Sequence, residues 1–247
     1  MSAFKPKLTI MNKVLFVAIA VIFPFAFPSI AKAGGVKIRN YGHSSLLIKG
    51  GGYSILLNPF KAVGCALGLS EPRVKANVIL ASSELADEGA RVAKGIFLVK
   101  PGSYQIGKLR LDGVSAPHDR YGGRRYGMTT IWNWTQGGLR FAHLGGAAVP
   151  LSEEDKLLIG KPDVLIIAVG GGAKVFDGNE AANVVKDLKP KNVIPVQYSR
   201  GDKIKNCDQQ GIKTFLDAMH EVKVRKSSKY LSLSKSNSDD MIIHIMK

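Results

Sequence analysis

Beyond residue 33 the chain is punctuated by glycine, and short apolar runs alternate with tight turns. Val36–Arg39, Ser45–Ile48 and Ser54–Leu57 read as strands, the last two joined through Gly50-Gly51-Gly52. Runs of this length, bounded by residues that accept left-handed backbone, cannot sustain long helices and favour β-hairpins. Further strands are expected at 78–80, 96–99, 108–111, 114–116, 164–167 and 193–194, with a final one at 241–243. Thr129–Trp134 and Leu139–His143 flank Gln136-Gly137-Gly138, a hairpin signal. Helical signals are fewer. Ser152-x-x-Asp155 resembles a capping box with Asp in place of Glu or Gln. Asn179–Leu188 carries apolar residues at 181, 184, 185 and 188, the period of a surface helix, and Ile212–Met219 is similar. The sum is one α/β domain over residues 34–247.

The first 33 residues are of another kind. Lys5, Lys7 and Lys13 precede an apolar run, Val14–Phe27, and Ala31-Lys32-Ala33 closes the segment. This three-part pattern predicts a secretory signal peptide cleaved after Ala33, with an uncleaved anchor as the alternative. The run is shorter than the ~20 residues of a stable spanning helix. The protein is therefore expected in an exported compartment, the periplasm or an equivalent lumenal space. The chain carries a formal charge of +16, and without the four lysines of this segment +12 remains. That favours anionic partners: a small anionic molecule, or a membrane surface with acidic headgroups. Export argues against nucleic acid. Cys65 and Cys207 are the two cysteines. An oxidising compartment permits a disulfide, but sequence leaves pairing and two separate thiols equally open. No Cys-x-x-Cys or Cys/His cluster points to structural zinc.

Three ordered stretches carry a resemblance. The first is Tyr41-Gly42-His43-Ser44-Ser45 with Asn58-Pro59. The second is His118-Asp119, Gly122-Gly123, Thr129-Thr130, Gly138-Leu139-Arg140 and His143-Leu144-Gly145. The third is Asp163-Val164-Leu165-Ile166, Val169-Gly170-Gly171 and Val193-Ile194-Pro195-x-x-Tyr198. Together they resemble the metallo-β-lactamase-fold hydrolases, in particular their ascorbate-6-phosphate lactonase-like branch. The resemblance implies an αββα four-layer sandwich, with a cleft at one edge of two facing sheets. It also implies a metal-dependent hydrolase, in which histidines and carboxylates hold two cations that acidify a bound water.

On the residues, that ligand set is mostly missing. Aligned with the family's HxHxDH motif, the first histidine is Ser83, the second Leu85 and the third Glu88, while the aspartate stays as Asp87. His118 matches the next histidine. The bridging aspartate is Gly146 and the final histidine Gln197. Asp87 and His118, joined by Glu88 and Gln197, are the candidate ligands of a weak oxygen-rich site. Such a site suits Mn²⁺, Mg²⁺ or Ca²⁺ better than Zn²⁺. Asp87 as a helix cap is the alternative for that residue. His43 and His143 are expected to border the cleft and hold its loops. Arg120, Arg124 and Arg125 are candidates for clamping an anion. The resulting expectation is a non-catalytic relative that binds an anionic small molecule or partner, with no metal or a weakly held one. The alternative is a metal-dependent hydrolase of a lactone or phosphoester with a rearranged site.

Overall fold

The computed structural model describes residues 34–201, 204 and 207–247. The expected signal peptide, residues 1–33, lies outside the described residues. In chain order the elements are β1 (Val36–Gly42), β2 (Ser45–Gly50), β3 (Tyr53–Leu57), β4 (Lys75–Leu80) and β5 (Lys94–Leu98). Then come β6 (Gly102–Ile106), β7 (Leu109–Pro117), β8 (Met128–Gln136) and β9 (Leu139–His143). The second half is α1 (Glu153–Ile159), β10 (Val164–Ala168), α2 (Gly178–Leu188), β11 (Asn192–Val196) and α3 (Lys213–Ala218), closed by β12 (Lys223–Ser227), β13 (Tyr230–Leu233) and β14 (Ile242–Met246).

Two mixed sheets face each other, in strand orders β13-β1-β2-β3-β4-β5 and β12-β14-β11-β10-β9-β8-β7-β6. Period-two patterning sets which side of each strand is buried. Along β1, Val36, Ile38 and Asn40 point inward while Lys37 and Arg39 point out. Ile38, Ile48, Leu57 and Leu80 of the first sheet thus meet Leu111, Trp132, Phe141 and Ile166 of the second in one apolar core. Trp134 stacks on Phe141 with ring centroids 4.9 Å apart.

A second core lies on the outer face of the second sheet. Ile159 of α1, Ala181, Val185 and Leu188 of α2 and Phe215 of α3 cover Leu165, Ile167 and Val193 there. The helices start where the sequence places caps. Ser152 and Asp177 each close a capping box, with Asp155 and Glu180 respectively, and α2 ends as Lys189 turns left-handed. The outer face of the first sheet holds a smaller cluster, Leu47, Leu56, Ala76 and Ile79, packed with Tyr41, Val74, Ala93 and Phe97. The fourth layer here is loop rather than helix: among the described residues no α-helix contributes to that cluster. No helix of the described residues is long and apolar enough to cross a membrane.

Sequence reading of 108–116 as two strands becomes one, β7, because Gly113 continues the pairing with β8 opposite Trp132. β6, β12 and β13 join the sheets as outermost strands, and Tyr104 and Ile106 of β6 and Leu231 and Leu233 of β13 alternate onto the first core. Cys65 and Cys207 are joined in a disulfide, with Cα atoms 4.8 Å apart. It ties the loop after β3 to the segment after β11 across 142 residues. Closing so long a loop restricts the unfolded chain, which predicts a loss of about 2–4 kcal/mol on removal. Urea unfolding of the oxidised protein against the Cys65→Ser/Cys207→Ser variant measures it.

Candidate functional site

The loops that leave β1, β3, β4, β7, β9, β10 and β11 converge at one end of the sandwich. At their centre is the carboxylate of Glu88, which is fully buried. Its Oε2 accepts from Ser82 Oγ and Ser83 Oγ, each at 3.1 Å, and from His118 Nε2 at 2.8 Å. Its Oε1 accepts from Gln197 Nε2 at 2.8 Å. A carboxylate with so many donors is ionised. His118 is equally constrained. Its Nε2 faces Glu88 and its Nδ1 lies 3.2 Å from the carbonyl oxygen of Lys174. Both neighbours only accept, so both ring nitrogens carry protons and the ring is an imidazolium. Burial pushes the Glu88 carboxyl up, but the hydrogen bond and charge of His118 and the charge of Lys174 hold it far below the usual carboxylate range. Burial likewise pulls the His118 imidazole down, and Glu88 more than offsets it, leaving it above its ordinary value.

A second ion pair lies alongside. Lys174 Nζ is 2.5 Å from Asp87 Oδ2. His43 Nε2 lies 3.8 Å from the same oxygen and 3.4 Å from Gln197 Nε2. The Gln197 amide donates to Glu88 and to His43, so His43 accepts on Nε2 and is neutral. Burial draws its imidazole below the ordinary value, against the charges of Glu88 and Asp87. The backbone is strained at this spot: His43, Asn58 and Gln197 have φ of 51°, 37° and 50°. Left-handed backbone at non-glycine residues costs about 1–3 kcal/mol each and persists where the surroundings fix it. Gln197 N donates to the His43 carbonyl, and Asn58 Oδ1 accepts from Ser82 N at 2.8 Å.

Gly146 completes the centre. A Cβ at this position would overlap the His118 ring. The imidazole therefore fills space that any side chain here, a bridging aspartate included, would occupy. As arranged, the four expected ligands fit one another rather than a cation. His118 has no free lone pair, Glu88 is saturated with donors, and Asp87 is bonded to an ammonium. Gln197 Oε1, buried without a partner, is the one unengaged atom among the groups bound to Glu88.

The turns after Asp87 do not open a helix, so its role is the pair with Lys174 and not a cap. His143 is fully buried, and burial pulls its imidazole down to about 4, against the charge of Glu88 and a backbone hydrogen bond with Ile166. The three arginines do not converge. Arg120 grips Glu180 with two nitrogens and reaches the carbonyls of Gly172 and Val175. Arg124 donates to the Tyr121 carbonyl, and Arg125 lies over the Tyr126 ring. Asp119 shapes this loop by accepting from the amides of Tyr121, Gly123, Arg125 and Tyr126. Lys174 was not among the candidates. Its one sequence signal is a lysine just after the glycine turn Gly170-Gly171-Gly172. Beside the centre a cavity of about 310 Å³ is lined by His43, Leu67, Leu69, Tyr198, Arg200 and the disulfide.

Residues 37–197 match the family described as "Beta-lactamase superfamily domain". A solved structure from Thermotoga maritima, a candidate Zn-dependent hydrolase of the metallo-β-lactamase superfamily, is 23% identical with a TM-score of 0.69, over 85% of this chain and 98% of its own. A candidate metal-dependent hydrolase from Parabacteroides distasonis is 18% identical with a TM-score of 0.56, over 85% and 92%. Igni18, a metallo hydrolase from Ignicoccus hospitalis, is 18% identical with a TM-score of 0.58, over 81% and 99%. At these identities the likeness is one of fold. No curated protein matches the chain in sequence.

Breaking the central pair should cost more than a surface pair. His118→Ala leaves Glu88 buried and uncompensated, with an expected loss of about 3–5 kcal/mol at neutral pH. The His118→Ala/Glu88→Gln double variant should lose less than the two single variants summed. The loss also depends on pH. Because the folded His118 lies above its ordinary 6.5, its stabilisation is complete below that pH and fades as pH rises through the folded value. The gap between wild type and His118→Ala should therefore narrow in alkali. His143, at about 4 when folded, acts in the other sense and removes stability as pH falls from 6.5 towards 4. Urea midpoints across pH check both.

Proposed function

The chain belongs to the beta-lactamase superfamily domain family, and from that premise we propose that it keeps the family's scaffold and cleft but works without a metal, as an exported protein that binds an anionic small molecule or partner. The observation that carries this reading is the doubly donating ring of His118. A histidine binds a metal through a neutral ring's lone pair, and an imidazolium has none. The two internal cations, Lys174 and protonated His118, balance Asp87 and Glu88, so the buried charges need no external ion. Leu85 and Gly146, at two ligand positions of the family motif, offer no donor atom at all.

The cavity beside this centre is the ligand site of the proposal. Arg200 stands at it with one nitrogen bonded to the Met246 carbonyl, which leaves further N–H groups for an anion. Leu67, Leu69 and Tyr198 supply apolar wall, a combination suited to a small anion with a hydrophobic part. The second reading, a metal-dependent hydrolase of a lactone or phosphoester, draws on the unpartnered Gln197 Oε1 and on the partial exposure of Asp87.

Metal analysis by mass spectrometry, on protein purified without chelators, separates the two. The expected content is background, with unchanged melting in Mn²⁺, Zn²⁺ or Ca²⁺. Ligand at a hundred times its Kd would stabilise by about 2.7 kcal/mol, a rise of roughly 5–10 °C. Such a rise, abolished by Asp87→Ala, would move the hydrolase reading to the front.

A further inference from the structure

The flank that carries β12 and β13 is basic. Lys37 of β1 and Lys49 of β2 are direct cross-strand partners, and both are exposed. Like charges placed opposite each other weaken a strand pair. On the next pair along, Arg39 faces Tyr230 of β13, and its guanidinium lies 5.9 Å from that ring. Lys229 Nζ is 5.7 Å from the same ring. Across the short turn before Tyr230, Lys223, Arg225 and Lys226 continue the charge along β12, and all three are exposed. Among the described residues none of these seven cations has a carboxylate within ion-pair distance.

Charges on an outermost strand commonly serve to block edge-to-edge association, and β12 is outermost. That explanation does not reach Lys37 and Lys49. β1 and β2 are paired on both sides, so their outward lysines guard no edge. The face also exposes Tyr230 (54%) beside Arg39 and Lys229. An aromatic ring with a polar tip beside lysines suits the headgroup layer of a bilayer. Position gives a further argument. Gly34, where the N-terminal segment joins the domain, lines one groove with Lys37, Lys49 and Ser232. If the chain is cut after Ala33, the new amino group adds positive charge to the same groove.

We propose that this face, built on Lys37, Arg39, Lys49 and Lys229 around Tyr230 and extended by β12, docks the domain on an anionic lipid bilayer. Each lysine near such a surface contributes about 1 kcal/mol, roughly fivefold in partitioning. The test is co-sedimentation of the full chain with phosphatidylcholine vesicles, with and without phosphatidylglycerol, over a range of salt. Wild type should bind the anionic vesicles more tightly, and salt should weaken binding. Lys37→Gln/Lys49→Gln/Lys229→Gln should weaken it about a hundredfold. Lys94→Gln/Lys161→Gln/Lys186→Gln, the same charge change at exposed lysines on other elements, should weaken it far less. Circular dichroism melts of both variants establish that they fold. Three outcomes would overturn the proposal: equal loss in the two variants, equal binding to neutral vesicles, or release by inorganic phosphate at constant ionic strength, which would mark a free-phosphate site instead.

Discussion

The buried pair of Glu88 and His118 is the constraint on which this end of the molecule depends. An ionised carboxylate taken wholly out of water must be matched by charge and by hydrogen bonds to all its lone pairs. The strands deliver those partners from separate parts of the chain: Ser82 and Ser83 after β4, His118 after β7, Gln197 after β11. The left-handed backbone at Gln197 and the hydrogen bond its backbone N–H donates to the His43 carbonyl belong to the same arrangement. Remove the charge of either partner and the surrounding donors face the wrong group.

The groups around this pair match one another. Ser83 and Gln197 both donate to Glu88. Gly146, without a side chain, leaves room for the ring of His118. Lys174 brings an ammonium to Asp87. Donors and acceptors are thus matched apart from Gln197 Oε1, which is buried without a partner.

The remaining architecture holds this set still and gives it a boundary. Thr130 N and Thr129 Oγ1 both donate to the Ser82 carbonyl, and Trp132 Nε1 donates to that of Ala81. The β8 strand thereby fixes the loop that carries the serines, Asp87 and Glu88. On the open side the disulfide joins two loops that flank the cavity. Rigid strands below and a covalent tie above suit a preformed binding site.

An α/β domain and its capped helices were legible along the chain, and the two facing sheets through the family resemblance. Those features rest on local periodicity, on turn chemistry and on ordered motifs read along the chain. β12 and β13 were not legible, because β12 has a single apolar residue, Val224, and the alternation of Leu231 and Leu233 in the four residues of β13 is too short to mark a strand. Nor could the sequence pair Cys65 with Cys207, since the loops that carry them meet only in the folded molecule. The charge network belongs wholly to tertiary structure. That Lys174 neutralises Asp87, that His118 is doubly protonated, and that Arg120 turns away to Glu180 follow from which groups the folded strands leave within 3 Å or so of one another, at a distance where burial makes each proton's location a matter of partners.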